Sequence, residues 1–153
     1  MDPIRNILVI VDPTATQHSA ITKGALLAAK FHARLELFIC DTRAAREARL
    51  VARARAAAEP APFDVKAMLE ELAAPLREQG LDVATTTECR DPLHEGLMDR
   101  ARRTTADLVV KDTHHHSWAK RTFLTNTDWH LIRTCPVPLL LTKSTQWPST
   151  PNV

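Results

Sequence analysis

The chain has 153 residues, of which 44% are hydrophobic and 25% charged, and its net charge is +2 with histidine neutral. This length and composition predict one globular domain with a sizeable core and exclude a disordered chain. The small net charge argues against a nucleic-acid-binding face, and no apolar run approaches the roughly 20 residues that span a membrane.

The three cysteines, Cys40, Cys89 and Cys135, are scattered and show no CxxC spacing. An odd, scattered set is typical of a reducing compartment, where thiols stay free. The first residues carry no basic segment ahead of their apolar run and no small-residue cleavage site, which argues against a signal peptide. We therefore expect a cytoplasmic protein.

Taken in chain order, five short apolar runs alternate with segments of helical periodicity. The first run, NILVIV, is continuous and β-branched, which predicts a strand buried on both faces of a parallel sheet. Gly24 lies on the apolar stripe of the first helix and would allow this helix to approach the sheet closely. The predicted strands cover residues 6–11, 34–40, 81–88, 108–110 and 138–141, and the predicted helices cover residues 18–33, 63–79, 91–105 and 126–134.

Residues 42–62 differ in kind, because five arginines alternate with alanines before Pro60 and Pro62. Alanine and arginine favour a helix, and the prolines end it. One interpretation is an arginine clamp for an acidic ligand. We favour the other, a solvated helix or mobile excursion, because the segment has little apolar stripe.

Local signals predict where helices begin and what they bury. Asp91 is expected to cap a helix that has Pro92 at its first position, and Pro75 to kink the preceding helix or shift its end. In the last helix we expect Trp129 to pack and His130 to bond a loop carbonyl. The last helix is predicted to have Thr125 or Asn126 as its cap and to bury Leu131, Ile132 and Cys135.

The alternation of strand and helix predicts a doubly wound α/β sheet, all or mostly parallel. The predicted domain covers residues 1–143. Residues 144–153 contain two prolines and are expected to form a linker or tail.

Several strings carry a family resemblance: ILVIVDPT at the first strand, ADLVVK at the fourth, and RTCPVPLLLTK at the last helix and strand. On these strings the chain resembles the universal stress protein family over nearly its whole length. TNTDWHLIRTCPVP together with DTHHH is similar to the N-terminal half of tandem-domain members of the E type. The resemblance implies a five-stranded parallel sheet in the order 3-2-1-4-5, with helices on both faces.

The resemblance also implies an adenine-nucleotide site, which many members have and others lack. In such members the aspartate after the first strand meets the adenine or ribose, and here this residue is Asp12. A glycine loop after the fourth strand holds the phosphates, and its glycine positions fall here on Lys111, on His114 and near Leu124 and Thr125. Because these glycines are replaced by bulky residues, we expect ATP not to bind. Asp12, Lys111 and Thr125 remain the candidate cofactor-binding residues.

A metal hypothesis rests on the histidine cluster after the fourth strand. His114 and His116 are two residues apart, so in an extended segment their side chains share one side. With Asp12 at a neighbouring strand end they could provide nitrogen and oxygen ligands for zinc. The cluster matches no fixed ligand spacing, and loop histidines are often solvated or paired with carboxylates, so the zinc hypothesis stays open.

No nucleophile, base and orienting group are recognisable together, so we expect a protein that is not an enzyme. The first functional interpretation is a stress-response binding and interaction module with a degenerate nucleotide site. The second is an ATP- or AMP-binding stress protein that uses Lys111, Lys120 and Arg121 in place of glycine N–H groups. The third is a metal-dependent nucleotide hydrolase.

The last apolar run begins at Val137 and ends at Leu141, and it would form an edge of the sheet. An apolar edge strand invites pairing with another strand. Because the family pairs domains through this strand, the resemblance implies a homodimer or a tandem-domain pair. The string QWP in the tail resembles an interdomain linker, which favours one half of a tandem protein. We expect no nucleic-acid or membrane partner.

Overall fold

The computed structural model of the chain describes residues 3–55, 64–113 and 124–143. In this part five strands form one parallel sheet in the order β3-β2-β1-β4-β5, so the predicted doubly wound fold and its strand order are confirmed. The strands are β1 (Asn6–Ile10), β2 (Arg34–Cys40), β3 (Val83–Glu88), β4 (Leu108–Asp112) and β5 (Leu139–Thr142). The helices are α1 (Ser19–Phe31), α2 (Arg43–Arg55), α3 (Val65–Glu78), α4 (Leu93–Arg103) and α5 (Asn126–Thr134).

The core lies in two layers, one on each face of the sheet. Side chains alternate along β1, so Ile7 and Val9 pack with residues of α1 and α3. Leu8 and Ile10 face the other way and pack with residues of α4 and α5. This central strand is therefore buried on both faces, as its continuous apolar run predicts.

Gly24 places α1 against the sheet. A Cβ atom at this position would lie 2.6 Å from Val9 Cγ2 and 3.4 Å from Leu35 Cδ1. The first distance is shorter than any normal carbon contact, so the helix can sit this close only because the side chain is absent. The predicted close approach is confirmed.

A charged cluster, which we call the Arg100 network, lies between α4 and the β2–β3 half of the second sheet face. The Arg100 guanidinium pairs with Glu36, with one N–H···O distance of 2.9 Å, and with Glu88 at 3.2 Å. It also lies over the Phe38 ring, 5.8 Å from its centroid. Arg103 pairs with the same Glu88 carboxylate at 2.7 Å. The otherwise costly burial of Glu36 is offset by this pairing.

Two predicted helix signals act differently in the structure. Helix α3 continues through Pro75, which is exposed, so the unpaired carbonyl of Glu71 on the same exposed side can bond to water. Asp91 does not cap α4, whose N-cap is Pro92. The Asp91 carboxylate instead accepts the backbone N–H of Arg43 at 3.1 Å and so ties the start of α2 to the loop before α4.

The expected burial of α5 is only partly correct. Leu131 is fully buried, but the neighbouring Ile132 is 46% exposed, because a helix lying on a sheet buries a single side. Helix α2 leaves Leu50 and Val51 exposed, in agreement with the prediction of a solvated helix. Among the described residues no helix has the length and apolarity needed to cross a membrane.

Candidate functional site

The carboxyl ends of the parallel strands bring several predicted site residues to one edge of the sheet. Asp12 follows β1, Asp41 follows β2, and Lys111 and Asp112 end β4. Ligands of open α/β sheets bind outside this edge, where the strand order reverses. In this chain the reversal lies between β1 and β4, beside Asp12 and Asp112.

Asp12 is turned back onto its own loop. Its Oδ1 accepts hydrogen bonds from the backbone N–H of Thr14 at 2.8 Å and from the Thr14 hydroxyl at 2.7 Å. These bonds order the loop after β1 and use one carboxylate oxygen.

Asp112 acts as a connector between three elements. Its Oδ1 accepts the backbone N–H of Ala20 in the first turn of α1 at 2.9 Å and the hydroxyl of Thr142 in β5 at 2.5 Å. The N-cap residue of α1, His18, makes no side-chain capping bond. The Asp112 carboxylate from β4 therefore caps the N-terminus of α1 in place of His18, at a helix end that favours negative charge.

Lys111 forms a buried ion pair with Asp128 in the first turn of α5. The distance from Lys111 Nζ to Asp128 Oδ1 is 2.8 Å, and Nζ also donates to the carbonyl oxygen of Asp112 at 2.9 Å. Lys111 is 7% exposed and Asp128 is 0% exposed. Burial acts to raise the pKa of Asp128, but the Lys111 ammonium and the N–H and hydroxyl of Thr125 outweigh it and lower the pKa overall.

Thr125 caps α5, which confirms one of the two predicted caps. Its hydroxyl accepts the N–H of Asp128 at 3.2 Å and donates to Asp128 Oδ2 at 2.9 Å, and its own N–H bonds the same oxygen at 2.9 Å. Sequence reasoning named Thr125 but missed its partner. The spacing T-x-x-D in TNTD is a capping-box signal that could have identified Asp128.

The metal hypothesis falls mainly outside the described residues, because His114 and His116 lie between residues 113 and 124. Within the described ranges no three histidine, cysteine, aspartate or glutamate side chains come together to hold a metal. The third proposed ligand, Asp12, is among the described residues and is engaged by Thr14. Zinc at His114, His116 and Asp12 stays a prediction.

The expectations for Trp129 and His130 are wrong. Trp129 is 49% exposed instead of packed, since it lies on the outer side of α5. His130 does not bond a carbonyl but stacks on His94 of α4, with ring centroids 4.2 Å apart and planes 8° from parallel. Cys40 is buried, and burial, with the surrounding negative charges, raises the pKa of its thiol to about 11, although a backbone hydrogen bond with Arg90 acts to lower it.

Comparison with known proteins shows the family of the chain. The model of the "Universal stress protein family" matches residues 3–143, and the chain therefore belongs to that family. Universal stress protein E of Salmonella typhi is 26% identical over 147 residues, and that of Escherichia coli K12 is 25% identical over 147 residues. These matches cover 94% of this chain but only 47% and 46% of the relatives, so the chain spans about half of their length.

Solved structures give the same result for the fold. A putative universal stress protein from Pseudomonas aeruginosa UCBPP-PA14 is 28% identical, with a TM-score of 0.73 over 94% of this chain and 45% of that one. A universal stress protein in complex with cAMP is 17% identical, with a TM-score of 0.65 over 93% of this chain and 98% of that one. At that identity the second likeness concerns the fold alone.

Proposed function

We propose that this chain is a non-catalytic stress-protein module whose nucleotide site no longer accepts a polyphosphate. Family membership supports the stress-protein part of the proposal. The observation that carries the rest is that Asp112 and the Lys111–Asp128 pair fill the sheet edge with the chain's own charges.

The first feature that opposes phosphate binding lies at the N-terminus of α1. A helix N-terminus attracts anions through its free N–H groups and its dipole. Here the Asp112 carboxylate already accepts the N–H of Ala20. A phosphate arriving at the end of β4 would meet this negative charge, and their repulsion opposes binding.

The second feature that opposes phosphate binding is the ion pair of Lys111. Its ammonium is a cation at the end of β4 that could meet a phosphate, but it is buried and held by Asp128 at 2.8 Å. Moving it to a ligand would leave the Asp128 carboxylate buried without a counter-ion, which is strongly unfavourable. The rival function, an ATP- or AMP-binding protein that uses side chains, requires this pair to break.

The test is calorimetric titration with Mg–ATP and with AMP, followed by a phosphate-release assay. We expect no binding tighter than about 1 mM and no turnover. A tight ATP complex, with amide chemical-shift changes centred on residues 111–125, would overturn the proposal. Phosphate release that requires added zinc or magnesium would favour a metal-dependent hydrolase instead.

A matched pair of variants sharpens this test. Asp112→Asn keeps an oxygen for the Ala20 N–H and removes the charge that repels phosphate. Asp82→Asn removes a charge from an exposed residue just before β3 and serves as the control. We expect ATP binding to strengthen in the first variant only.

The proposed module also pairs through its edge strand with a second copy or a second domain of the same kind. β5 forms one edge of the sheet, and its Leu139, Leu140 and Leu141 remain only half-buried. An unpaired apolar edge is stabilised by adding a strand.

A further inference from the structure

The outward side of α5 carries a shallow groove of about 300 Å³, lined by Asn126, Trp129, His130 and Arg133. These positions follow i, i+3, i+4, i+7 spacing and so lie on one side of the helix. The groove is distinct from the candidate nucleotide site, because Asp128, which faces that site, is completely buried whereas Trp129 is half exposed.

The lining is unusual in its chemistry, since every member can donate an N–H: an amide, an indole, an imidazole and a guanidinium. Among the described residues that line it there is no carboxylate. In the part of the chain that the structure describes, the side chains of all four form no hydrogen bond or ion pair. Arg133 therefore presents an uncompensated positive charge to the groove.

Two aromatic groups give the groove a defined shape. Stacking on His94 holds the His130 ring in a fixed plane, with the centroids 4.2 Å apart. The Trp129 side chain is 49% exposed and offers an apolar ring surface beside the charge. A flat ligand can pack on an indole while its charged end reaches a guanidinium.

From these observations we propose that the groove binds a small planar organic anion, of the aromatic carboxylate class. Its carboxylate accepts two N–H bonds from Arg133 and one from His130, and its ring packs on Trp129. Charge complementarity selects an anion over a cation, because the four lining residues offer positive charge and donors and no negative group.

The proposal is tested with benzoate as probe, using calorimetry and the indole N–H resonance of Trp129. Acetate has the charge without the ring, and benzamide has the ring without the charge. We expect benzoate to bind with a Kd of about 1 mM and the other two to bind at least about tenfold more weakly. Equal binding of benzoate and benzamide, or no response to benzoate, would overturn it.

A variant and its control locate the site. Arg133→Gln should weaken benzoate binding about tenfold, because a charge-assisted bidentate contact is lost. Arg102→Gln removes the same charge from an exposed position in the last turn of α4 and should leave the affinity unchanged. Equal losses in the two variants would mean a general charge effect and would contradict the proposal.

A second copy of the chain could instead cover this side of α5. In that case the Trp129 resonance would shift with protein concentration and not with benzoate, which also overturns the proposal.

Discussion

At the scale of single residues, the candidate site is governed by a charge pair that is cut off from water. Asp128 is 0% exposed, yet its pKa lies below the ordinary value of 3.8, because Lys111 and Thr125 compensate for its burial. Such a pair is costly to break from one side, since Asp128 would keep its hydrogen bonds to Thr125 but lose its counter-ion in a site that solvent does not reach.

Lys111→Met tests this pair. We expect the substitution to lower the free energy of unfolding at pH 7 by about 3–5 kcal/mol, because it leaves Asp128 buried and uncompensated. Lys30→Met, at an exposed position of α1, is the control and should change stability little. Denaturant unfolding measures both.

The stability difference between wild type and Lys111→Met should also depend on pH. A carboxyl whose folded pKa is lowered stabilises the protein above its unfolded pKa, and the contribution is lost as pH falls through the folded value. In Lys111→Met burial acts on Asp128 without the opposing ammonium and raises its folded pKa, so the difference between wild type and variant should shrink as the pH falls through the Asp128 pKa of the variant towards that of wild type. A difference that is constant with pH would contradict the role given to the ion pair.

At the scale of elements, the contact between α1 and β1 depends on one missing side chain. The Cβ that Gly24 lacks would lie 2.6 Å from Val9 Cγ2, and Val9 is completely buried. A β-branched side chain in a packed strand has little freedom to rotate away. The helix and the strand would therefore have to separate.

Gly24→Ala should lower the melting temperature by roughly 2–10 °C, although alanine favours helix more than glycine does. In a Val9→Ala background the same substitution should cost less, because the clashing methyl group is absent. Thermal melts of the four proteins in this cycle give the coupling. Equal costs in both backgrounds would rule out the contact as the cause.

At the scale of the whole molecule, the proposed pairing depends on the outer edge of β5, which has no neighbouring strand among the described residues. The carbonyls of Pro138 and Thr142 accept hydrogen bonds from Val109 and Thr113. The backbone groups of the alternate residues, Leu139 and Leu141, therefore point away from the sheet and are available to a partner strand.

We expect sedimentation to show a homodimer that Leu141→Pro converts to a monomer, because proline removes an outward N–H without touching the bonds to β4. Leu141→Ala keeps that N–H and should stay dimeric. Circular dichroism checks that each variant is folded. A wild-type protein that remains strictly monomeric at high concentration would contradict the prediction.

Much of the architecture follows from local pattern. The continuous apolar run of β1 correctly predicts a central strand that is buried on both faces. The alternation with threonine in β3 correctly predicts an edge strand, which is less buried. The bond of Asp112 to α1 and the pairing of Asp128 with Lys111 could not be predicted in the same way. Their partners lie on other elements, and whether a strand-end carboxylate binds a ligand or an in-chain N–H depends on tertiary contacts.

The Arg100 network makes one contact of the fold dependent on salt concentration. Attraction between partly exposed ions weakens when dissolved salt accumulates around them, whereas apolar packing does not weaken in this way. The contact of α4 with β2 and β3, which Arg100 makes through Glu36 and Glu88, is therefore expected to weaken as the salt concentration rises, while the apolar contacts of α1 and α3 on the opposite side are retained.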